Sequence, residues 1–124
     1  MKKLLSIFFM HIIVLSVSCK KNELGGNSKI SGKVKHHSKA IAFASVFIKF
    51  NATEFPGADT LIYDSKVRAD ENGNFSFMCY KGNYYVYGHG YDYAIPAPHI
   101  VVGGTPVKIR KNEKATLDVA VTED

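Results

Sequence analysis

The chain of 124 residues contains no tryptophan and has only two cysteines and four prolines. Two cysteines, Cys19 and Cys79, exclude the dense disulfide framework of small secreted domains. The excess of positive over negative residues is also small. The formal net charge is +5, and Lys2 and Lys3 at the amino terminus supply two of those charges. So mild a surplus argues against a dedicated nucleic-acid-binding protein, and we expect no nucleic-acid partner.

Long apolar runs are missing except for one at the amino terminus. Residues 4–17 read LLSIFFMHIIVLSV, after the basic Met1-Lys2-Lys3 and before the small residue Ser18. A basic head, an apolar stretch and a small residue are typical of a cleaved signal peptide. The run is shorter than the roughly 20 apolar residues that span a bilayer. We therefore predict a signal peptide over residues 1–18.

The residues before Cys19 resemble a lipobox, the site where lipoprotein signal peptidase cuts before a diacylated cysteine. The segment is Leu15-Ser16-Val17-Ser18-Cys19, with Ser16 where the usual pattern has leucine. Its Ser-Cys-Lys-Lys ending is similar to lipoproteins of Bacteroidetes-type bacteria. The resemblance implies lipidation of Cys19 with acyl chains such as palmitate, which would bind the protein to a membrane. The alternatives are a secreted protein cut elsewhere and an uncleaved anchor.

Residues 19–29 are predicted to form a lipidated tether. Residues 20–29, KKNELGGNSK, are polar and glycine-rich, as flexible linkers are. A lipid on Cys19 would place the protein at the bacterial outer membrane. Two lysines after the cysteine differ from the acidic surface-export signals of some Bacteroidetes lipoproteins, which favours a periplasm-facing anchor. A lipidated Cys19 is not expected to pair with Cys79, and Cys79 in FSFMCY is predicted to be a small buried hydrophobe.

No segment after Cys19 shows a helical period, and alternation of period two recurs instead. The alternating runs are ISGKVKH, ASVFIKF, residues 61–67, NFSFMCY, NYYVYGH, PVKIR and TLDVAV. Turn residues separate them, with Asn72-Gly73 as a tight turn. We expect an all-β, Greek-key β-sandwich of about seven strands over residues 30–124. Residues 51–59 and 88–98 are predicted to form long loops.

Four sets of residues on these runs form a family pattern. They are Gly32-Val34, Ala44-Val46, Ala69-Asp70-Gly73-Phe75 and Gly82-Tyr84. The pattern resembles the carboxypeptidase regulatory-like domain, also described as transthyretin-like, and covers about residues 30–122. The resemblance implies an Ig/transthyretin-like sandwich. It implies no activity, because every one of these motifs is structural.

The same resemblance calls for a comparison with one enzyme of the transthyretin-like group, hydroxyisourate hydrolase. The chain of that enzyme ends in a Tyr-Arg-Gly-Ser motif. This chain ends in AVTED instead. Carboxypeptidase activity is not implied either, because it belongs to a separate zinc catalytic domain. We therefore expect a protein that is not an enzyme and has no cofactor. The expected function is that of a lipid-anchored binding or structural module of the cell envelope.

Tyrosines are concentrated between residues 80 and 93. By alternation, Tyr85 and Tyr87 face away from the core and predict an exposed aromatic strip, which Tyr91 and Tyr93 continue in the loop. Exposed tyrosine is enriched at interfaces and can stack on sugars. The strip is therefore the candidate contact with an envelope protein or glycan partner. The alternative is that the strip packs under the 88–98 loop as part of the core.

A second hypothesis concerns polar residues of the same loop. His89, Asp92 and His99 are weak candidates for a metal or polar site at one end of the sandwich. They would make the chain an envelope enzyme or a small-ligand-binding protein. The plainer interpretation is exposed polar loop residues, and we assign no metal. A third hypothesis is a purely structural spacer or assembly module.

Overall fold

The computed structural model describes residues 20–124 and consists of two packed β-sheets. The strands are β1 Leu24–His36, β2 Lys39–Ala40, β3 Ser45–Phe50, β4 Ser65–Arg68, β5 Asn74–Cys79, β6 Gly82–Tyr91, β7 Ile100–Ile109, β8 Lys114–Ala120 and β9 Thr122–Glu123; a 3-10 turn spans Thr60–Ile62. Among the described residues the regular elements are the strands of two sheets and this one turn, which confirms the predicted all-β sandwich. Within the described range, no helix is long and apolar enough to cross a membrane.

Each sheet gathers strands that are distant in sequence. In the first sheet β1 pairs antiparallel with β2 and β5 and parallel with β8. The second sheet has the order β4-β3-β6-β7-β9, and all its pairs are antiparallel. The chain passes from one sheet to the other after β2, β4, β5, β7 and β8. This connectivity places the ends of β1, β2 and β6 close together.

The core lies between the sheets and consists of the inward residues of the alternating runs. Its fully buried members include Ile30, Val34, Val46, Ile48, Val86, Val101 and Val119. Cys79 is a free and fully buried member of this core, as predicted. The ring of Tyr84 is also fully buried. Its hydroxyl donates to the carbonyl oxygen of Tyr80 at 2.7 Å and lies 3.1 Å from that of Glu23. The phenol oxygen is therefore satisfied inside an apolar layer.

The turn between β4 and β5 is built by its own residues. Asp70 Oδ1 accepts hydrogen bonds from the backbone N–H groups of Asn72 and Asn74, at 2.8 Å and 2.9 Å. These bonds hold the pKa of Asp70 below its ordinary value. Gly73 has φ of 77°, a left-handed conformation that glycine adopts at little cost. The predicted tight turn is confirmed.

The amino-terminal boundary differs from the prediction. Strand β1 begins at Leu24, so residues 24–29, predicted as part of the tether, belong to the sheet. The composition of this stretch hides the strand because β1 contains a bulge there: Leu24 and Ser28 both pair with Cys79. Cys19 and the predicted signal peptide, residues 1–18, lie outside the described residues.

Two other boundaries also differ. The predicted 88–98 loop is wrong over its first part, because β6 pairs residue by residue with β7 as far as Tyr91 and Ile100. The connection is therefore limited to residues 92–99. The predicted strand over 61–67 is divided into the 3-10 turn and β4, because Asp59 caps the turn by accepting a hydrogen bond from Leu61 N–H.

Candidate functional site

Tyr85 and Tyr87 lie on the outer face of the second sheet, as alternation predicts, but they are only 7% and 3% exposed. The segment between β3 and β4 covers them. The Phe55 ring lies 5.7 Å from the ring of Tyr85 and 5.6 Å from that of Tyr87, centroid to centroid. The Tyr63 ring stacks on Tyr87 at 5.5 Å. The prediction of an exposed strip is therefore wrong for Tyr85 and Tyr87, and the covering segment is not the 88–98 loop.

Hydrogen bonds hold the covering segment on the sheet. The Tyr63 hydroxyl donates to the carbonyl oxygen of Gly57 at 2.9 Å. The Asp64 carboxylate accepts from the N–H of Phe50 at 2.7 Å. Burial raises the pKa of Tyr63 to about 12 and also raises the pKa of Tyr85 and of Tyr87. This aromatic layer is thus a second, smaller core on the outside of the sheet.

Tyr91 and Tyr93 remain accessible, with 49% and 78% of their surface exposed. Their rings are stacked, with centroids 6.3 Å apart and planes at 15°. Both border a groove of about 800 Å³. The charged and aromatic residues that also line this groove are Lys39, Phe43, Lys66, Arg68 and Asp92. We call this the Tyr91 groove.

The two rings are positioned by a strand end and a fixed turn. Tyr91 closes β6 opposite Ile100 of β7. Tyr93 lies in the 92–99 connection and contacts the His99 ring at 5.2 Å. His99 Nδ1 donates to the carbonyl oxygen of Ile95 at 2.7 Å, which closes the connection on itself. The platform of two tyrosines is therefore held by both backbone pairing and side-chain bonds.

Beneath the groove, Asp92 is buried and bound by two side chains from the first sheet. His36 Nδ1 lies 2.7 Å from Asp92 Oδ2, and Lys39 Nζ lies 2.6 Å from Oδ1. The hydrogen bond from His36 and, as the next largest cause, that from Lys39 hold the pKa of Asp92 well below its ordinary value. Because an ionised carboxylate only accepts hydrogen bonds, His36 donates through Nδ1–H. The Asp92 charge is thus balanced inside the protein.

The three candidates of the second hypothesis do not come together. His89 lies on the outer face with its ring edge-on to Tyr91 at 5.7 Å. Asp92 binds His36, and His99 binds the backbone of the 92–99 connection. Among residues 20–124 there is no group of three His, Cys, Asp or Glu side chains that could hold a metal. Sequence reasoning missed His36 as the partner of Asp92.

The Tyr91 groove combines aromatic surface with positive charge. The Arg68 guanidinium lies 5.1 Å from the centroid of Phe43, so this cation lies over an aromatic face. Lys39 and Lys66 add two ammonium groups to the lining, and Asp92 is its one carboxylate. Because His36 and Lys39 already bind that carboxylate, Lys66 and Arg68 remain to attract an anion. The arrangement suits a ligand that has both a flat apolar face and a negative charge.

No protein-family model matches this chain, and no curated protein matches it. Among solved structures, the chain is similar to that of a DUF3823 family protein from Parabacteroides merdae, with a TM-score of 0.44 and 14% sequence identity. The similarity covers 78% of this chain and 47% of that protein. This chain thus spans about half the length of that protein. So distant a similarity carries no argument about function.

Proposed function

We propose that this chain is a non-enzymatic, lipid-anchored β-sandwich of the carboxypeptidase regulatory-like type that binds an acidic glycan at the cell envelope. The stacked pair of Tyr91 and Tyr93 beside Lys66 and Arg68 is the observation that carries the proposal. The family type is supported by Asp70 and Gly73, two residues of the family pattern, because they build the turn between β4 and β5.

The ligand class follows from the chemistry of the Tyr91 groove. Sugar rings present apolar C–H faces that stack on tyrosine, and their carboxylates form charge-assisted hydrogen bonds with lysine and arginine. Tyr91 and Tyr93 supply two adjacent rings for such stacking. Lys66 and Arg68, on the edge strand β4, supply the cations within the same lining. An acidic sugar uses both parts, whereas a neutral sugar uses only the rings.

The anchor is proposed on the lipobox resemblance before Lys20. A diacylated Cys19 would hold the sandwich at the outer membrane, within reach of envelope glycans. Mass spectrometry of the mature amino terminus tests this directly. We expect a first residue Cys19 that carries acyl chains. An unmodified first residue other than Cys19 would refute the anchor.

Binding is tested by isothermal titration of the full chain in neutral detergent with oligogalacturonate. A neutral galacto-oligosaccharide and oligoglutamate of equal length serve as comparison ligands. We expect saturable binding of the acidic sugar, weaker binding of the neutral sugar and weaker binding of oligoglutamate. Equal binding of oligoglutamate would show that the groove prefers an acidic protein segment and would contradict the glycan proposal. Absence of binding to the acidic sugar would contradict it as well.

A double variant assigns the binding to the groove. Tyr91→Ala with Tyr93→Ala is expected to raise the dissociation constant about tenfold, because each stacking contact is worth about 0.5–1.5 kcal/mol. Leu61→Ala is the matched control, since Leu61 is a large apolar residue that is 90% exposed and lies outside the groove lining. An equal loss in the control, or no loss in the double variant, would rule out this site.

A further inference from the structure

A second pocket lies beside the first described residue of the chain. Its volume is about 280 Å³, and it is lined by Lys20, Gly26, Asn27, Ser28, Tyr80, Lys81, Lys111 and Asn112. Three of these side chains are basic and none is acidic. The pocket lies near the start of β6, whereas the Tyr91 groove lies at its end, so the length of β6 separates the two sites by about 30 Å.

Backbone pairing attaches Asn22, two residues after Lys20, to Lys81 on one side of the pocket. Asn22 N–H donates to the carbonyl oxygen of Lys81 at 2.9 Å, and Asn22 Oδ1 accepts from the N–H of Asn83 at 2.9 Å. These bonds attach Asn22 to the β5–β6 connection at Lys81 and to the start of β6 at Asn83. The Lys20 ammonium lies 5.7 Å from the centroid of the Tyr80 ring. The first lysine is therefore held over an aromatic wall of the pocket.

The opposite wall comes from the bulge in β1 and the β7–β8 turn. Residues 25–27 have no partner on β5, because Leu24 and Ser28 both pair with Cys79. Ser28 Oγ is buried and donates to the carbonyl oxygen of Arg110 at 2.6 Å. This bond holds the bulge against the turn that presents Lys111. Three segments distant in sequence thus contribute one lysine each to the lining of one small pocket.

We infer that this pocket binds the phosphate of an anionic membrane lipid headgroup. A phosphate group is an anion, the three charged residues of the lining are all lysines, and the lining holds no carboxylate to compete with it. Lys20 directly follows Cys19, so a lipid on Cys19 brings this end of the sandwich to the headgroup layer, where anionic lipids attract basic residues. The inference rests on the proposed anchor and adds to it a fixed orientation, with the Tyr91 groove facing away from the bilayer.

The test is a titration of the full chain in neutral detergent micelles, followed by the amide chemical shifts of Tyr80, Lys81 and Lys111. Dihexanoyl phosphatidylglycerol is the probe, and inorganic phosphate is the comparison. We expect saturable shifts with the lipid and binding of inorganic phosphate at least tenfold weaker. Equal binding of the two would indicate a site for soluble phosphate and would overturn the lipid assignment. Absence of saturable shifts with the lipid would overturn the inference altogether.

A charge-matched pair of variants assigns the site. Lys81→Gln with Lys111→Gln is expected to raise the dissociation constant for the lipid at least tenfold. Lys33→Gln with Lys35→Gln removes the same charge from another surface of the protein and is expected to change it less than twofold. An equal loss in both variants would show unspecific attraction and overturn the inference. Unchanged amide spectra elsewhere verify that both variants fold.

The same titration separates this inference from the proposals it accompanies. Tyr91→Ala with Tyr93→Ala should leave lipid binding unchanged while it weakens glycan binding. If glycan binding fails and lipid binding holds, the groove proposal alone is refuted. If mass spectrometry finds Cys19 unmodified, the anchor is refuted, and saturable lipid binding at Lys81 and Lys111 would still support the phosphate pocket.

Discussion

The Asp92 carboxylate lies between His36 Nδ1 at 2.7 Å and Lys39 Nζ at 2.6 Å. His36 ends β1 and Lys39 begins β2 of the first sheet, whereas Asp92 follows β6 of the second. The three side chains therefore connect the two sheets at the end that carries the Tyr91 groove. A buried carboxylate is costly unless it is paired, and here both of its oxygens have a donor.

We predict that the bonds of Asp92 with His36 and Lys39 make the protein less stable at acidic pH. The hydrogen bonds from His36 and Lys39 lower the folded-state pKa of Asp92, so their contribution is present above the ordinary aspartate pKa of about 4. It is lost as the pH falls through the lowered folded-state pKa. Urea denaturation from about pH 5 to about pH 2 should show a fall in unfolding free energy that is smaller in Asp92→Asn.

Asp118→Asn is the control for that measurement, because Asp118 pairs with Lys35 on the surface and is 58% exposed. It is expected to follow the wild-type dependence on pH. If Asp92→Asn loses stability with acid as steeply as the wild type, the His36 and Lys39 contacts do not govern acid stability.

Alternation predicted the inward faces well, because a strand turns successive side chains to opposite sides. Val46 and Ile48 of β3 and Phe75 and Phe77 of β5 are buried as that rule requires. The same rule correctly predicted that Tyr85 faces outward, but it could not reveal that this side chain is buried. Burial depends on the path of residues 51–64, which hydrogen bonds to β3 and β6 determine.

The candidate site was predictable only in part. Tyr91 and Tyr93 are exposed, as predicted for the 88–98 loop, although Tyr91 is the last residue of β6. The pairing of His36 with Asp92 joins the end of β1 in the first sheet to the residue that follows β6 of the second sheet, 56 positions away. No local spacing encodes such a contact, because it requires the complete sheet order. The basic pocket was not predicted for the same reason, because Lys20, Lys81 and Lys111 line one pocket only after folding.

The second prediction concerns the turn of Asp70 and Gly73. Gly73→Ala should lower the free energy of unfolding by about 1–2 kcal/mol, because φ of 77° is strained for any residue with a Cβ. An added Cβ would also lie 3.0 Å from the carbonyl oxygen of Val34. Urea denaturation measures the change. Glu71→Ala, in the same turn and exposed, should stay within about 0.5 kcal/mol of the wild type. A loss of equal size there would contradict the backbone explanation.

The third prediction concerns the cover of the outer aromatic layer. Phe55→Ala should destabilise the protein by about 1–2 kcal/mol, because it removes ring contacts with both Tyr85 and Tyr87. The chain has no tryptophan, so tyrosine fluorescence is observed directly, and acrylamide should quench it more strongly in the variant. Leu61→Ala, at a 90% exposed position of the same segment, should change neither measurement. Unchanged quenching in Phe55→Ala would mean that the ring does not cover the tyrosines.

The last prediction concerns alkaline pH. Burial raises the pKa of Tyr63 from 10.0 to about 12, so the folded protein retains this proton where the unfolded chain loses it. The resulting stabilisation is complete below about pH 10 and is lost as the pH rises towards 12. Tyr63→Phe should therefore lose less free energy of unfolding than the wild type over that interval, as measured by urea denaturation with circular dichroism.

At neutral pH the same variant should be less stable by about 1 kcal/mol, because it lacks the hydrogen bond to the carbonyl oxygen of Gly57. Phe47→Leu is the matched control, since Phe47 contacts the Tyr63 ring at 5.8 Å but does not ionise. It should lower stability equally at every pH and keep the wild-type slope above pH 10. A wild-type slope in Tyr63→Phe would show that the alkaline loss arises at other tyrosines and that the cover segment does not control it.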